Sequence, residues 1–168
     1  EAYNTERAYY ISYGGEIIAE LPANKVVLDP FGEGKGGTVV ACMYKVPEEG
    51  NSCILYGLYD SSSGRELVPC SRKEGFAINE DRFVLKDTCL IGPDYDDFAA
   101  IYDRNGNVIC DGGEYQDIIF GYGNSNGVGV ILKPSESTGT ADLKGYVIDA
   151  DGNKLSEELD YLTATDES

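Results

Sequence analysis

The 168-residue chain is 42% hydrophobic and 26% charged, a balance that can bury a core and excludes bulk disorder. Thirteen Lys and Arg stand against 30 Asp and Glu, for a formal net charge of −17; a field of that sign repels phosphates and anionic headgroups and so excludes nucleic acid and acidic membrane surfaces as partners. No apolar run approaches the ~18 residues of a spanning helix, so membrane insertion is not expected.

The chain begins at Glu1 and not at Met, which fits a removed leader, and the expected location is extracellular or the cell envelope. The first predicted hairpin runs from Tyr9 to Ile18 and bends at Gly14-Gly15, with Tyr3–Gly14 supplying its leading half. Two short strands follow at Lys25–Asp29 and Thr38–Val46. They flank the glycine-rich Gly32–Gly37, which reads as a surface loop because it lacks the Gly-Lys-Ser/Thr ending and the helix that cradle a phosphate.

A second hairpin, Gly57–Val68, bends through Asp60-Ser61-Ser62-Ser63-Gly64, and short strands at Gly75–Asn79 and Arg82–Lys86 come next. The acidic stretch Asp94–Ala100 is the best place for one short helical turn. A third hairpin, Ala100–Ile109, closes at Gly106 and is followed by strands at Tyr115–Phe120 and Val128–Lys133. The fourth, Tyr146–Leu155, closes at Gly152. The segments Gly121–Gly127 and Pro134–Thr140 read as exposed connections.

Val, Ile, Tyr and Phe dominate the strand runs, as a half-buried pleated surface requires. The bends share one chemistry. Asp60, Asp103 and Asp149 can accept hydrogen bonds from backbone N–H groups inside the turn, while Gly15, Gly64, Gly106 and Gly152 supply the positive φ that closes it. Recurrence at near-regular intervals makes residues 1–168 a single all-β domain of about four antiparallel hairpin units, either a small propeller-like ring or an open β-repeat stack. Pairing of the N-terminal strand with the last unit would close the ring and hide two sheet edges.

Tyr56-Gly57-Leu58-Tyr59-Asp60 with Gly64-Arg65-Glu66-Leu67-Val68-Pro69 resembles the WG-repeat family, whose units read roughly Trp-Gly-aromatic or Leu-Ile-Asp, a short turn, then Gly-Lys-x-Val-Ile-Pro. Lys144–Asp149 with Gly152-Asn153, and Ile101-Tyr102-Asp103 with Gly106–Ile109, are similar; Tyr95-Asp96 and Tyr115-Gln116-Asp117 resemble the Tyr-Asp that follows the proline. Tyr56 stands where the family carries its tryptophan, and this chain has no tryptophan. The resemblance implies an interaction module without shared catalytic residues.

Catalytic chemistry is poorly supplied. The sequence has no histidine, which removes Ser-His-Asp and Cys-His arrangements and the usual zinc ligands. Five cysteines, Cys42, Cys53, Cys70, Cys89 and Cys110, lie far apart with no C-x-x-C pair; buried inert thiols are expected, with a Cys42–Cys53 bridge across a hairpin as the alternative. Oxygen-rich Asp149, Asp151 and Asn153 form a candidate Ca²⁺ site, against which the glycine comes too early for a helical calcium loop and is accounted for by the turn; Asp94–Asp97 is a second such cluster.

Thirteen tyrosines are the remaining signal. Tyr10, Tyr59 and Tyr102, on the repeated strands, are expected in the core. Tyr9, Tyr13, Tyr122 and Tyr146 are expected to be exposed and to contribute to binding. The expectation for function is a non-enzymatic binding module for a protein or a surface glycan, with a carbohydrate-binding or carbohydrate-cleaving domain, built on paired carboxylates, as the rival.

Overall fold

The computed structural model describes residues 7–11, 14–22, 25–28, 37–45, 53–87, 98–113, 115, 117–120, 127–134 and 143–160. Within them the chain is all-β, with fourteen strands and no helix. Strands β1 (Arg7–Ile11) and β2 (Ile17–Pro22) form a two-stranded hairpin. Three four-stranded sheets follow: β3 (Lys25–Leu28), β4 (Thr38–Lys45), β5 (Cys53–Asp60) and β6 (Arg65–Arg72); β7 (Glu74–Asn79), β8 (Arg82–Lys86), β9 (Ala99–Asp103) and β10 (Val108–Asp111); β11 (Asp117–Phe120), β12 (Val128–Pro134), β13 (Leu143–Asp149) and β14 (Leu159–Asp160).

Each four-stranded sheet is an antiparallel meander with its strands in chain order. The aspartate–glycine bends at Gly64, Gly106 and Gly152 all follow the third strand of their sheet, and the bend at Gly15 joins β1 to β2. The expected strand pairs between bends are therefore the first two strands of each sheet. The ladder partner of β1 is β2, and the described sheets form an open series.

The middle sheet decides how the series stacks. In β8, Phe83 and Leu85 pack with Ala100 and Tyr102 of β9 against Val40 and Leu58 of the preceding sheet. The intervening residues Val84, Ala99 and Ile101 pack against Ile118, Phe120, Ile131 and Ile148 of the following sheet. Successive side chains of a strand point to opposite faces, so a sheet covered on both sides reads as a continuous apolar run. Phe83, Val84, Leu85 and Ile101 are essentially inaccessible to water, and each such side chain contributes about 1.5–3 kcal/mol relative to exposure. Tyr59 and Tyr102 are buried as expected; the side chain of Tyr10 lies outside the described residues.

Two expectations are corrected. Ala99 and Ala100, placed at the end of a possible helical turn, open β9, because two alanines let the neighbouring sheets approach the middle one closely; Asp94–Asp97 lies outside the described residues. The Cys42–Cys53 bridge fails on register, since Cys42 stands opposite Tyr56 and Cys53 opposite Lys45. Three residues of offset amount to about 10 Å along a strand, beyond the ~7 Å Cα separation that a disulfide tolerates. Cys70 and Cys110 are outside any disulfide.

At the end of the stack opposite the bends, the middle and last sheets are joined by a buried ion pair. Lys86 closes β8 on the face that carries Val84, and its Nζ lies 2.7 Å from Oδ1 of Asp117, which opens β11. The two side chains are 9% and 3% exposed. A third, outer partner is Glu74, at 3.5 Å. Removing one partner of such a pair strands the other charge in a dry environment, whereas replacing both with apolar groups removes the desolvation cost with the attraction. Lys86→Ala is therefore expected to destabilise the protein by about 3–5 kcal/mol in urea unfolding, and Lys86→Met/Asp117→Leu to recover most of that loss; a double variant as unstable as the single one would show that the pair itself, and not the stranded charge, carries the stability.

Candidate functional site

The bends gather at one end of the stack. In the third unit the Asp103 carboxylate accepts hydrogen bonds from Asn105 N (2.8 Å), Asn107 N (2.9 Å) and Asn107 Nδ2 (2.9 Å). In the fourth, Asp149 accepts from Asp151 N, Asn153 N and Asn153 Nδ2, each at 2.9 Å. The two turns are the same object. The Asp60 bend is one residue longer, and hydroxyls replace the asparagine: Oδ1 accepts from Ser62 N (2.9 Å) and Ser62 Oγ (2.6 Å), and Oδ2 from Ser63 Oγ (2.6 Å).

These donors favour the charged carboxylate. The Ser62 and Ser63 hydroxyls hold the Asp60 pKa below the ordinary value, and the Asn153 amide does the same for Asp149. At Asp103 burial pushes upward, but the side-chain and backbone hydrogen bonds from Asn107 and Asn105 outweigh it and the net shift is again downward.

Glycine seats the Asp103 and Asp149 turns on the sheet before them. Gly106 and Gly152 have φ of 83° and 80°, and a Cβ at Gly152 would lie 2.4 Å from Cβ of Cys110 on β10, while one at Gly106 would lie 3.1 Å from Cβ of Leu67 on β6. Only glycine meets both demands. Side chains then cross the joints. Thr38 Oγ1 donates to the carbonyl of Arg104 and Arg82 Nε lies 2.6 Å from Asp151 Oδ1, while within the middle sheet Arg104 lies 3.3 Å from Asp81.

Between the Asp60 and Asp103 turns this arrangement leaves a cavity of about 350 Å³. Thr38, Asp60, Ser62, Arg65, Arg104 and Asn105 give it polar walls, with Leu67 as its apolar contribution. The cavity is within the range of about 300–1,000 Å³ typical of small-ligand sites, but more polar than most. It can offer guanidinium, hydroxyl and amide groups held by a backbone whose turn conformation is fixed.

The sequence-predicted binding residues do not converge on this cavity. Tyr9 lies on β1 with 45% of its surface exposed, beside exposed Ile11 and Ile17. Tyr146 lies on β13, half-buried, its ring in an edge contact with Tyr115 (centroids 5.9 Å apart) and covered by Lys154 Nζ at 3.6 Å. Burial holds the Tyr115 hydroxyl above its usual pKa. Tyr13 and Tyr122 lie outside the described residues. Of the expected calcium ligands, Asp149 and Asn153 bond each other within the turn and Asp151 bonds Arg82. Among the described residues no group of three or more His, Cys, Asp or Glu side chains is placed to hold a metal.

Arg65 and Arg104 were missed in the sequence. The available signal was that they are the two arginines adjoining or inside the repeated bends of a strongly acidic chain. Comparison with family models, with curated proteins and with solved structures finds no match to this chain.

Carboxyl groups with a lowered folded pKa stabilise the protein fully above their unfolded value of about 3.9, and that contribution disappears as the pH falls through the lowered folded value. The melting temperature of the wild-type chain is thus expected to fall below about pH 4 more steeply than that of Asp103→Ala/Asp149→Ala, measured by thermal melts across the acid range; parallel acid limbs would remove the turn carboxylates from the account. Because the Asp149 oxygens already accept three N–H groups, millimolar calcium is expected to leave the melting temperature unchanged, and a calcium-dependent rise abolished by Asp149→Ala would restore that ion to the site.

Proposed function

We propose that this chain is a non-enzymatic binding module of the extracellular space or cell envelope, and that it recognises a protein or a surface glycan at the turn end of its stacked sheets. The observation that carries the reading is the polar cavity between the Asp60 and Asp103 turns. Its walls come from loops pinned by their own hydrogen bonds and by the doubly buried sheet behind them, so the recognising groups are held in place before a ligand arrives.

The side chains near it favour binding over chemistry. Asp60 already accepts from three donors, and at the next joint, away from the cavity, burial, followed by Asp111 and Asp149, raises the pKa of the Cys110 thiol, which suppresses the nucleophilic thiolate. Kinship with WG repeats belongs to the same proposal; the near-identical Asp103 and Asp149 turns, each following the third strand of its sheet, support it.

The carbohydrate reading keeps a place because hydroxyl-rich ligands match hydrogen-bonding walls. Purified chain applied to printed arrays of glycans and of peptides is expected to show saturable binding that Arg65→Ala/Arg104→Ala weakens about tenfold, as loss of charged hydrogen bonds should, with the melting temperature retained. No saturable binding, or binding indifferent to the double variant, would overturn the assignment, and turnover of a chromogenic glycoside would overturn its non-enzymatic part.

A further inference from the structure

The repeat shows what the cavity lacks. Thr38, Arg82 and Val128 occupy the same rung in successive sheets, opposite Asp60, Asp103 and Asp149 respectively. From that rung a side chain can reach into the next unit's turn. At the joint between the middle and last sheets Arg82 does so and ends on the Asp151 carboxylate at 2.6 Å. At the preceding joint the same rung carries Thr38, which is too short to fill the space and stops at the Arg104 carbonyl. Asn105 holds the position in its turn that Asp151 holds in the next. The cavity therefore lies where one joint further on a guanidinium and a carboxylate are closed against each other.

The charges at the open joint are unbalanced. Among the described residues the Arg65 guanidinium has no ion-pair partner. Arg104 has only the exposed 3.3 Å contact with Asp81, at 60% and 53% side-chain exposure, which is a weak competitor for an arriving anion. The single carboxylate in the wall, Asp60, already accepts from Ser62 and Ser63. Two guanidiniums against the single Asp60 carboxylate leave the lining with positive charge in excess, and with the amide of Asn105 and the hydroxyl oxygen of Ser62 they describe a site for one carboxylate on a small hydroxylated body.

We propose that the cavity between the Asp60 and Asp103 turns binds a uronic-acid residue of an acidic saccharide, its carboxylate held by Arg65 and Arg104 and its hydroxyls by Ser62 and Asn105. The inference rests on the binding-module reading and names the ligand class for its site. Phosphate fits less well: the guanidinium fork accepts either anion, but only the saccharide brings ring hydroxyls for the amide and hydroxyl walls, which a bare tetrahedral anion would leave unused.

Titration of the full chain with sodium glucuronate, glucose and inorganic phosphate, followed by calorimetry, tests it. Glucuronate is expected to bind saturably, glucose and phosphate at least about tenfold more weakly, and Arg65→Ala, at an exposed side chain, to lower glucuronate affinity about tenfold. Thr38→Arg/Asn105→Asp, which rebuilds the Arg82–Asp151 pair at the open joint, is expected to abolish binding while keeping or raising the melting temperature. Equal binding of glucose or phosphate, wild-type affinity in either variant, or no glucuronate binding would overturn the inference. Array binding that depends on Arg65 and Arg104 without glucuronate binding would overturn the ligand class alone, whereas loss of both would also remove the module reading.

Discussion

Burial of the middle sheet on both faces is the constraint from which the rest of the molecule follows. A sheet with one wet face is held in register by polarity, since a slip of one residue carries the apolar set into water. Strands β8 and β9 have no wet face along Phe83–Leu85 and Ala99–Tyr102, so polarity alone cannot hold them. Side-chain size and a single charge take over. Phe83, Leu85 and Tyr102 fill one interface while Val84, Ala99 and Ile101 fill the other, and Lys86 must meet Asp117 across the second of these. A one-residue slip would turn the Lys86 amine toward the apolar cluster around Leu58 and leave Asp117 buried without its cation, a cost far larger than any gain in packing.

With the far end locked in this way, the positions of the bends are determined. Each aspartate–glycine bend follows the third strand of its sheet, and at Gly106 and Gly152 glycine lets the bend lie against the last strand of the preceding sheet. The turn carboxylates are consequently internal parts of the loops and not free surface charges, despite their exposure. Asp103 and Asp149 each organise three N–H donors, and this fixes the backbone from which Arg104 and Asn105 project. Rigidity is passed from apolar layers to turn, and from turn to cavity wall.

The fold was largely legible because its signals are local. Strand runs rich in branched and aromatic residues, and bends with aspartate before and glycine after, depend on neighbours in sequence, and they located β3, β4, β7, β8, β11 and β12 to within a few residues. The two-alanine start of β9 was ambiguous since Ala99-Ala100 has no β preference of its own; it is a strand because thick layers on either side need a thin one between them. Cys42 and Cys53 flank one hairpin, and only the pairing register separates them. Asp149, Asp151 and Asn153 have the composition of a cation loop and the geometry of a hydrogen-bonded turn, and composition cannot distinguish oxygens that are already accepting from oxygens that are available. The cavity was illegible for a similar reason. Arg65 and Arg104 belong to different units, and nothing in the sequence near either announces the other.

Regularity also accounts for where a stack of similar sheets can depart from its own pattern. Identical units stacked identically would make identical joints, each closed by the same cross-unit contact, and a surface of that kind discriminates between ligands poorly. Specificity needs a joint that departs from the rule while its neighbours keep the scaffold rigid. The rung occupied by Thr38, Arg82 and Val128 is such a point of departure, because its side chain faces the next turn instead of the core and can change without disturbing the apolar layers. A long cationic side chain there seals the joint through Asp151. A short hydroxyl keeps one hydrogen bond to the neighbouring turn, enough to maintain the spacing, and leaves a polar space open between the two turns. The cavity is thus a consequence of shortening one side chain at a position the fold leaves free to vary.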